Sequence, residues 1–348
     1  MSAPRTELPR GVTWRVWRLG GRGLVWYPRA LAVTVLTTLV ALVLALFGLT
    51  TGSTPLGIPE VVDGLAGGQN AAIVRELRLP RVVCGLFVGA CLAVAGAVMQ
   101  SLTRNALGSP DIIGVTTGAA LGAVVAIVVL GLGPVGTVVG ALVGCLVVSV
   151  LTYALTYSVH RAPGQRLVLV GIGLGAFCHG LVALVLTHSN PDTAIGAQIW
   201  MTGTLNARSW PDTVAPALAC VVLVPVLLVA ARHLNALQTG EEMAGQLGVD
   251  VPRTRLVAVA CCVGLTAAAV CSVGPISFVA LASPHLARRL TGNANVPLLS
   301  SAACGAALLL GADVCAQRLP EALRVPVGIA TGVLGGLYLV VVLTRRSN

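Results

Sequence analysis

The chain has 348 residues, of which 56% are hydrophobic and only 10% are charged, and its mean hydropathy is +0.91. A water-soluble domain of this length would expose large apolar patches, so the composition excludes one and indicates that a lipid bilayer is the solvent. All 22 basic residues are arginine, so the chain has no lysine for a phosphate-binding P-loop, and any ATP hydrolysis requires another chain.

Charge-free stretches of about 20 residues predict the membrane spans, because a charge in the hydrocarbon costs roughly 3 kcal/mol or more. An arginine-rich tail, residues 1–29, precedes the first stretch, and no cleavage site of small residues separates the two, so the first span is predicted to be retained. Ten spans result. They cover residues 30–49, 81–102, two parts of 112–160, 167–187, 213–231, two parts of 256–287, 296–316 and 326–343.

Glycine and proline divide the two long charge-free intervals. The run Gly131-Leu-Gly-Pro134 predicts a tight turn between spans three and four. The pair Gly274-Pro275 separates spans seven and eight, because proline lacks an amide donor and clashes with the preceding helical turn.

An even number of spans puts both termini on one face of the membrane, and the arginines show which face that is. Of the 22 arginines, 16 lie on the terminal face and six on the opposite face. Those six are Arg75, Arg78, Arg81, Arg208, Arg318 and Arg324. The positive-inside rule therefore predicts cytoplasmic termini and explains the basic charge without any nucleic-acid partner.

Small and polar residues inside the spans suggest how the helices pack. Small residues that allow close approach occur in span two (Gly89, Ala93, Gly96 and Ala97) and in span five (Gly171, Gly173 and Gly175). Within span five, His179 is the only histidine centred in an apolar run, and it is compatible with facing a cavity or with packing. The ten cysteines lie mostly in apolar runs without zinc-ligand spacing, so we expect no metal site and no catalytic residue.

Two blocks of sequence carry a family resemblance. The first comprises Arg78-Leu-Pro-Arg81 and the stretches 88–100 and 104–114, and the second contains Gly274-Pro-Ile-Ser-Phe278, Pro284-His285, Ala312-Asp313 and Pro326-Val-Gly-Ile329. In this order and spacing, over residues 30–344, they closely resemble the FecCD permeases, which import iron siderophores, heme and cobalamin with ATP-binding cassette (ABC) ATPases.

The resemblance implies an all-α polytopic membrane protein with about ten transmembrane helices in the type II ABC importer permease fold. It implies a single permease domain, residues 30–344, in the bacterial cytoplasmic membrane, with the tail and residues 345–348 in the cytoplasm. The implied partners are a second permease subunit, identical or homologous, ABC ATPase subunits that bind ATP and Mg²⁺, and an extracytoplasmic substrate-binding protein. Membrane lipid surrounds the chain, and no cofactor is expected in it.

The resemblance also assigns roles on the outer face. Arg78 and Arg81 are expected to form ion pairs with acidic residues of the binding protein. The alternative is that this arginine pair anchors the end of the helix at the lipid headgroups. A third docking arginine is expected four residues after Asp313, where Gln317 stands, so the neighbouring Arg318 is taken as its replacement. Arg324 stands where the family has an acidic residue, which makes the outer face more basic than is usual in the family.

The most polar internal loop, residues 232–255, lies on the terminal face and resembles the segment that couples the permease to the ATPase. Its centre is predicted to be a short helix with apolar contacts and a glycine turn, and an ordinary solvated loop is the alternative. The residues assigned to coupling are Glu241, Glu242, Met243, Ala244, Gly245, Leu247, Gly248 and Val249.

The prediction is therefore a permease subunit for an iron-siderophore or a related metal chelate, with heme or cobalamin as alternatives. The resemblance assigns span five, with Gly171, Gly173 and His179, to the translocation pathway. A proton- or sodium-driven secondary transporter is the alternative from another class. It would need acids within the membrane, and of the 12 acidic residues only Asp313 is near the interior of a span.

Overall fold

The computed structural model describes residues 15–19, 22–52, 54–157, 163–293, 295–320 and 323–346. Two strands, β1 (Arg15–Leu19) and β2 (Arg22–Trp26), pair antiparallel in the tail. The helices follow in chain order: α1 (Pro28–Thr50), α2 (Ile58–Ala66), α3 (Leu79–Thr103), α4 (Val115–Val124), α5 (Pro134–Tyr157), α6 (Pro163–Thr187), α7 (Pro191–Met201), α8 (Trp210–Gln238), α9 (Glu241–Gln246), α10 (Val251–Val273), α11 (Val279–Thr291), α12 (Leu298–Arg318) and α13 (Val327–Arg346).

Three shorter helical segments join these elements. A π-helical segment, Ile73–Arg78, runs directly into α3, and a second one, Val125–Val129, continues α4. A 3-10 turn, Pro110–Ile113, precedes α4, with Ser109 at its N-cap position.

The predicted all-α fold is confirmed, with a helix for each of the ten predicted spans. Seven helices among the described residues are long and apolar enough to cross a membrane. Of the other three spans, Val115–Val129 and α11, with 13 residues, are shorter, and α13 has 20 residues. A helix of 13 residues rises only about 20 Å, so α11 begins inside the bilayer, after the break that Gly274 introduces.

Both predicted helix breaks are present. Gly131 and Gly274 have φ angles of 61° and 82°, in the region that favours glycine, and they lie between the helices that the breaks separate. The polar segments around the spans contain further helices, because α2 and α7 lie in the stretches between predicted spans.

The predicted loop at residues 232–255 is shorter than expected, because α8 continues to Gln238 and α10 begins at Val251. The polar residues after position 231 do not end α8. Leu234 and Leu237 lie one turn apart on its buried side and pack into the core, while Arg232 and His233 are exposed.

The core of the bundle forms around α3, α10 and α12. The share of residues buried within the chain differs between the most apolar stretches of the helices. This share is about 78% for the stretch that contains α3, 6% for α1 and 11% for α8. Helix α3 packs against α8, α10, α11 and α12, so it is the central helix of the fold.

Small residues bring these central helices together, as the sequence predicts for span two. A Cβ atom added at Gly96 in α3 would lie 1.7 Å from the carbonyl oxygen of Ala280 in α11. Gly89 and Gly305 form a similar crossing between α3 and α12, where a Cβ on either would approach the other's carbonyl oxygen within 2.5 Å. Only glycine permits such backbone contact.

Candidate functional site

The bundle has two faces, and helix α8 spans the distance between them. The Nε1 atom of Trp210 donates to the carbonyl oxygen of Arg75 at 3.1 Å, which joins the start of α8 to the π-helical segment that precedes α3. The 29 residues of α8 rise about 43 Å, so α9, which follows it, lies at the opposite end. We call the end with Arg75 the outer face and the end with α9 the inner face.

On the outer face, Arg78 is turned into the protein. Its side chain is only 8% exposed, and Nη1 donates to the carbonyl oxygen of Leu49 at 2.7 Å. Its Nη2 atom donates to both the carbonyl and the hydroxyl oxygen of Thr54. The guanidinium therefore satisfies a carbonyl at the C-terminal end of α1 and holds the following loop against α3.

Arg81 forms an ion pair with Asp313, which the sequence did not indicate directly. Its Nε donates to Oδ2 at 3.0 Å, and its Nη2 donates to Oδ1 at 2.7 Å. The side chain of Asp313 is 3% exposed and that of Arg81 is 20% exposed. Gln317 donates a further hydrogen bond to Oδ2 at 2.8 Å. The available signal was the position of Asp313, the one acid near the interior of a span.

A cavity of about 210 Å³ opens beside this pair. Its lining includes the polar residues Arg81, Asp313, Gln317, Asn206 and Arg324, and Gly52 from the loop after α1. Arg318 is not among the lining residues. It is exposed, and its guanidinium carbon lies 5.5 Å from the centroid of the Phe47 ring in α1.

On the inner face, α9 forms the short helix that the sequence predicts. Ala244 is fully buried beneath it, whereas Met243 and Leu247 are 53% and 67% exposed. Glu242 and Gly245 are also exposed. The helix therefore rests on the bundle through one small residue and presents two large apolar side chains to its surroundings.

The ends of α9 are held in place by glycine turns and an ion pair. Gly240 and Gly248 have φ angles of 118° and 80°, and the Val249 amide donates to the carbonyl oxygen of Ala244 at 3.0 Å. Glu241 pairs with Arg255 in α10. These contacts fix the direction in which the exposed face of α9 points.

The three residues assigned to the pathway on α6 lie on different sides of that helix. Gly171 is buried, and a Cβ there would lie 1.5 Å from the carbonyl oxygen of Ile112. Gly173 and His179 are exposed, and no atom lies within 4 Å of a Cβ added at Gly173. Gly171 therefore seats α6 against the bundle, and the other two residues lie on a face that this chain leaves uncovered.

Among the residues that the structure describes, no cluster of three or more His, Cys, Asp or Glu side chains could ligate a metal ion. All ten cysteines are free and eight of them are buried, which agrees with their expected packing role.

Known relatives match this chain over nearly its whole length. The ferric enterobactin permease protein FepG of Escherichia coli is 40% identical over 331 residues, covering 93% of this chain and 99% of that protein. The Fe(3+) dicitrate permease protein FecD of E. coli is 34% identical, with 90% and 99% covered. The cobalamin permease protein BtuC of Halobacterium salinarum is 35% identical, with 84% and 76% covered.

A solved structure has the same architecture. It is described as an inward-facing conformation of a proposed metal-chelate type ABC transporter, and it is 27% identical to this chain with a TM-score of 0.80. The similarity covers 91% of this chain and 99% of that one.

The match of the sequence to a family of known proteins agrees with this structural similarity. The FecCD transport family matches residues 38–345, which include every helix from α2 to α12 and both faces described above. The chain is therefore a member of the FecCD transport family.

Proposed function

We propose that this chain is the membrane-spanning permease subunit of an ABC importer that moves a ferric siderophore or a related iron chelate across the cytoplasmic membrane. One observation supports this function most strongly: the bundle has an arginine-lined cavity on its outer face and a short helix with exposed apolar side chains on its inner face. A chain that receives cargo from one partner and energy from another needs two such separate surfaces.

The substrate class follows from the relatives. FepG and FecD are permease proteins for ferric enterobactin and Fe(3+) dicitrate, and the identity to this chain extends over at least 90% of its length. The cobalamin permease protein is similar over a smaller share, so an iron chelate is the preferred cargo. Direction follows from the arginine distribution, which assigns the inner face to the cytoplasm.

On the outer face, we assign docking of an extracytoplasmic binding protein to Arg81 and Arg318, with Arg324 beside them. Arg81 borders an open cavity, and Arg318 and Arg324 are exposed, so all three can meet carboxylates of a partner. Arg78 is buried, and we therefore assign it a structural role, which is to hold the loop after α1 against α3.

On the inner face, we assign α9 to the contact with a separate ATPase subunit, which binds ATP and Mg²⁺. Met243 and Leu247 supply the apolar contact, and the ion pair of Glu241 with Arg255 transmits movement of α9 to α10. The uncovered face of α6, with Gly173 and His179, is assigned to a pathway completed by a second permease subunit.

The test is uptake of ferric chelates into vesicles that contain the chain with its co-purified subunits and binding protein. We expect uptake that requires ATP and the binding protein. Ferric catecholate, ferric citrate and cobalamin are compared at equal concentration, and the iron chelates are expected to enter faster. Uptake by the chain alone, driven by a proton or sodium gradient without ATP, would show that it is a secondary transporter.

A further inference from the structure

Helices α3 and α8 lie side by side across the membrane and run in the same direction. Near their outer ends, the hydroxyl of Thr213 donates to the carbonyl oxygen of Pro80 at 3.4 Å. Near their inner ends, the hydroxyl of Ser101 donates to the carbonyl oxygen of Leu234 at 3.3 Å. Both contacts join residues that are 133 positions apart in the sequence. The two helices therefore stay together from the outer face of the bundle to the inner face.

Two cysteines face each other within this contact. Cys91 is the middle residue of α3, and its Sγ lies 3.4 Å from the Sγ of Cys220 in α8. The Cys91 thiol also lies 3.4 Å from the carbonyl oxygen of Pro216, and the Cys220 thiol lies 3.8 Å from the carbonyl oxygen of Phe87. Each of these carbonyls is one helical turn before the cysteine of its own helix. Both thiols therefore point across the contact toward the opposite helix.

The two sulfur atoms are close enough to be joined by a bond. A disulfide has an S–S length of about 2.05 Å, so the atoms must approach each other by about 1.4 Å. Shared between the two side chains, this movement is within the range of small rotations about their Cα–Cβ bonds. Cys220 is only partly buried, whereas Cys91 has no exposed surface. A small reagent in the bilayer therefore reaches Cys220 first.

The part of α8 around Cys220 is weakly held. Pro216 and Pro225 lie inside the helix on either side of this cysteine. Because a proline has no amide hydrogen, the carbonyl oxygens of Asp212 and Val221, four residues before the two prolines, lose their helical donors. The most apolar stretch of α8 is also only 11% buried within the chain. A bond from Cys220 to the central helix α3 would hold α8 where its own hydrogen bonding is interrupted.

We propose that Cys91 and Cys220 form an oxidisable pair, which hydrogen peroxide converts to a disulfide bond that fastens α8 to α3. This bond closes a loop between residues 129 positions apart, so it restricts the unfolded chain and stabilises the bundle.

The reaction has two steps. The sulfur of Cys220 attacks one oxygen of the peroxide, the O–O bond breaks, and a sulfenic acid and one water form. The sulfur of Cys91 then attacks the sulfenic sulfur, so that the S–S bond forms while the S–O bond breaks and a second water leaves. Each water takes up one thiol hydrogen. The peroxide is reduced, and the two sulfurs are oxidised.

The first experiment identifies the bond. The full chain, with its accompanying subunits, is reduced in nanodiscs, treated with hydrogen peroxide and digested without reductant. Mass spectrometry is expected to find a peptide of α3 joined to a peptide of α8 with the loss of two hydrogen atoms. Dithiothreitol is expected to separate them, and Cys91→Ser is expected to abolish the joined product.

The matched control is Cys84→Ser, which removes a cysteine two turns earlier in α3. The Sγ atom of Cys84 lies 3.9 Å from the carbonyl oxygen of Asp212 in α8, where Cys91 instead meets a thiol. This variant is expected to form the joined peptide as the unchanged chain does. If peroxide produces no joined peptide, or joins Cys220 to another cysteine, the proposed pair is wrong.

The second experiment measures what the bond does. The oxidised chain is expected to unfold at a temperature at least about 3 °C above that of the reduced chain. In the variant Cys220→Ala, the oxidised and reduced samples are expected to unfold at the same temperature, and the cooperative transition of the reduced sample shows that the variant is folded. If the joined chain unfolds at the temperature of the reduced chain, the bond does not fasten α8 and that role is refuted.

Discussion

Arg81 and Asp313 join the outer ends of α3 and α12 through two charge-assisted hydrogen bonds of 3.0 Å and 2.7 Å. The carboxylate is almost fully buried, and Gln317 supplies a third hydrogen bond. The pair therefore has a structural role that is separate from any contact with a partner, and it explains how an acid is accommodated near the interior of a span.

Replacing Asp313 with Asn is expected to lower the free energy of unfolding by about 2–3 kcal/mol, since it leaves the Arg81 charge without its partner. Thermal unfolding of the purified chain in mild detergent measures the change. The matched control is Asp192→Asn in α7, where the acid is exposed, and it is expected to have almost no effect. Equal stability of the two variants would mean that the ion pair is absent.

Arg78→Ala distinguishes the structural role of this residue from a role in docking. Loss of its hydrogen bonds to Leu49 and Thr54 leaves the buried carbonyl oxygen of Leu49 unpaired, so we expect a stability loss of about 2 kcal/mol. Arg324→Ala removes an exposed arginine from the same rim and is expected to leave stability unchanged. If Arg78→Ala retains full stability and loses only affinity for the binding protein, docking is its main task.

Gly96→Ala tests the close contact between α3 and α11. The added methyl group would lie against the carbonyl oxygen of Ala280, so the helices must separate, and we expect a loss of about 1–3 kcal/mol. Gly180→Ala in α6 is the control, because nothing lies within 4 Å of the added atom. Stability from chemical unfolding in detergent is the measurement, and the control is expected to be neutral or slightly stabilising.

Met243→Asp/Leu247→Asp is expected to weaken binding of the ATPase subunit at least about tenfold, since it places charges on the exposed apolar face of α9. The fold is expected to survive because neither side chain is buried. Thr239→Asp adds a charge just before α9 and serves as the control. Co-purification of the ATPase and ATP hydrolysis by the complex are the measurements, and unchanged binding by the double variant would exclude α9 as the contact.

The membrane spans could be predicted from sequence because the bilayer imposes a simple rule. Each charge-free interval between Arg81 and Arg324 contains helices, and both glycine breaks are where the pattern places them. The rule is less informative outside the hydrocarbon. Helices α2 and α7 and the last turns of α8 were missed, since polar residues at a membrane surface are compatible with a helix or with a loop.

The candidate site was predicted less completely than the fold. The sequence alone determined a polytopic helical protein, the distribution of arginines between its two faces and the short helix α9, because hydropathy, charge and glycine act locally. Only the tertiary structure decided that Arg78 is buried, that Arg81 pairs with Asp313 and that Gly171 and His179 lie on different sides of α6. Arg78 contacts residues that precede it by more than 20 positions, and Arg81 and Asp313 are separated by 232 positions. Such contacts depend on which helix faces pack together, and no local pattern specifies that.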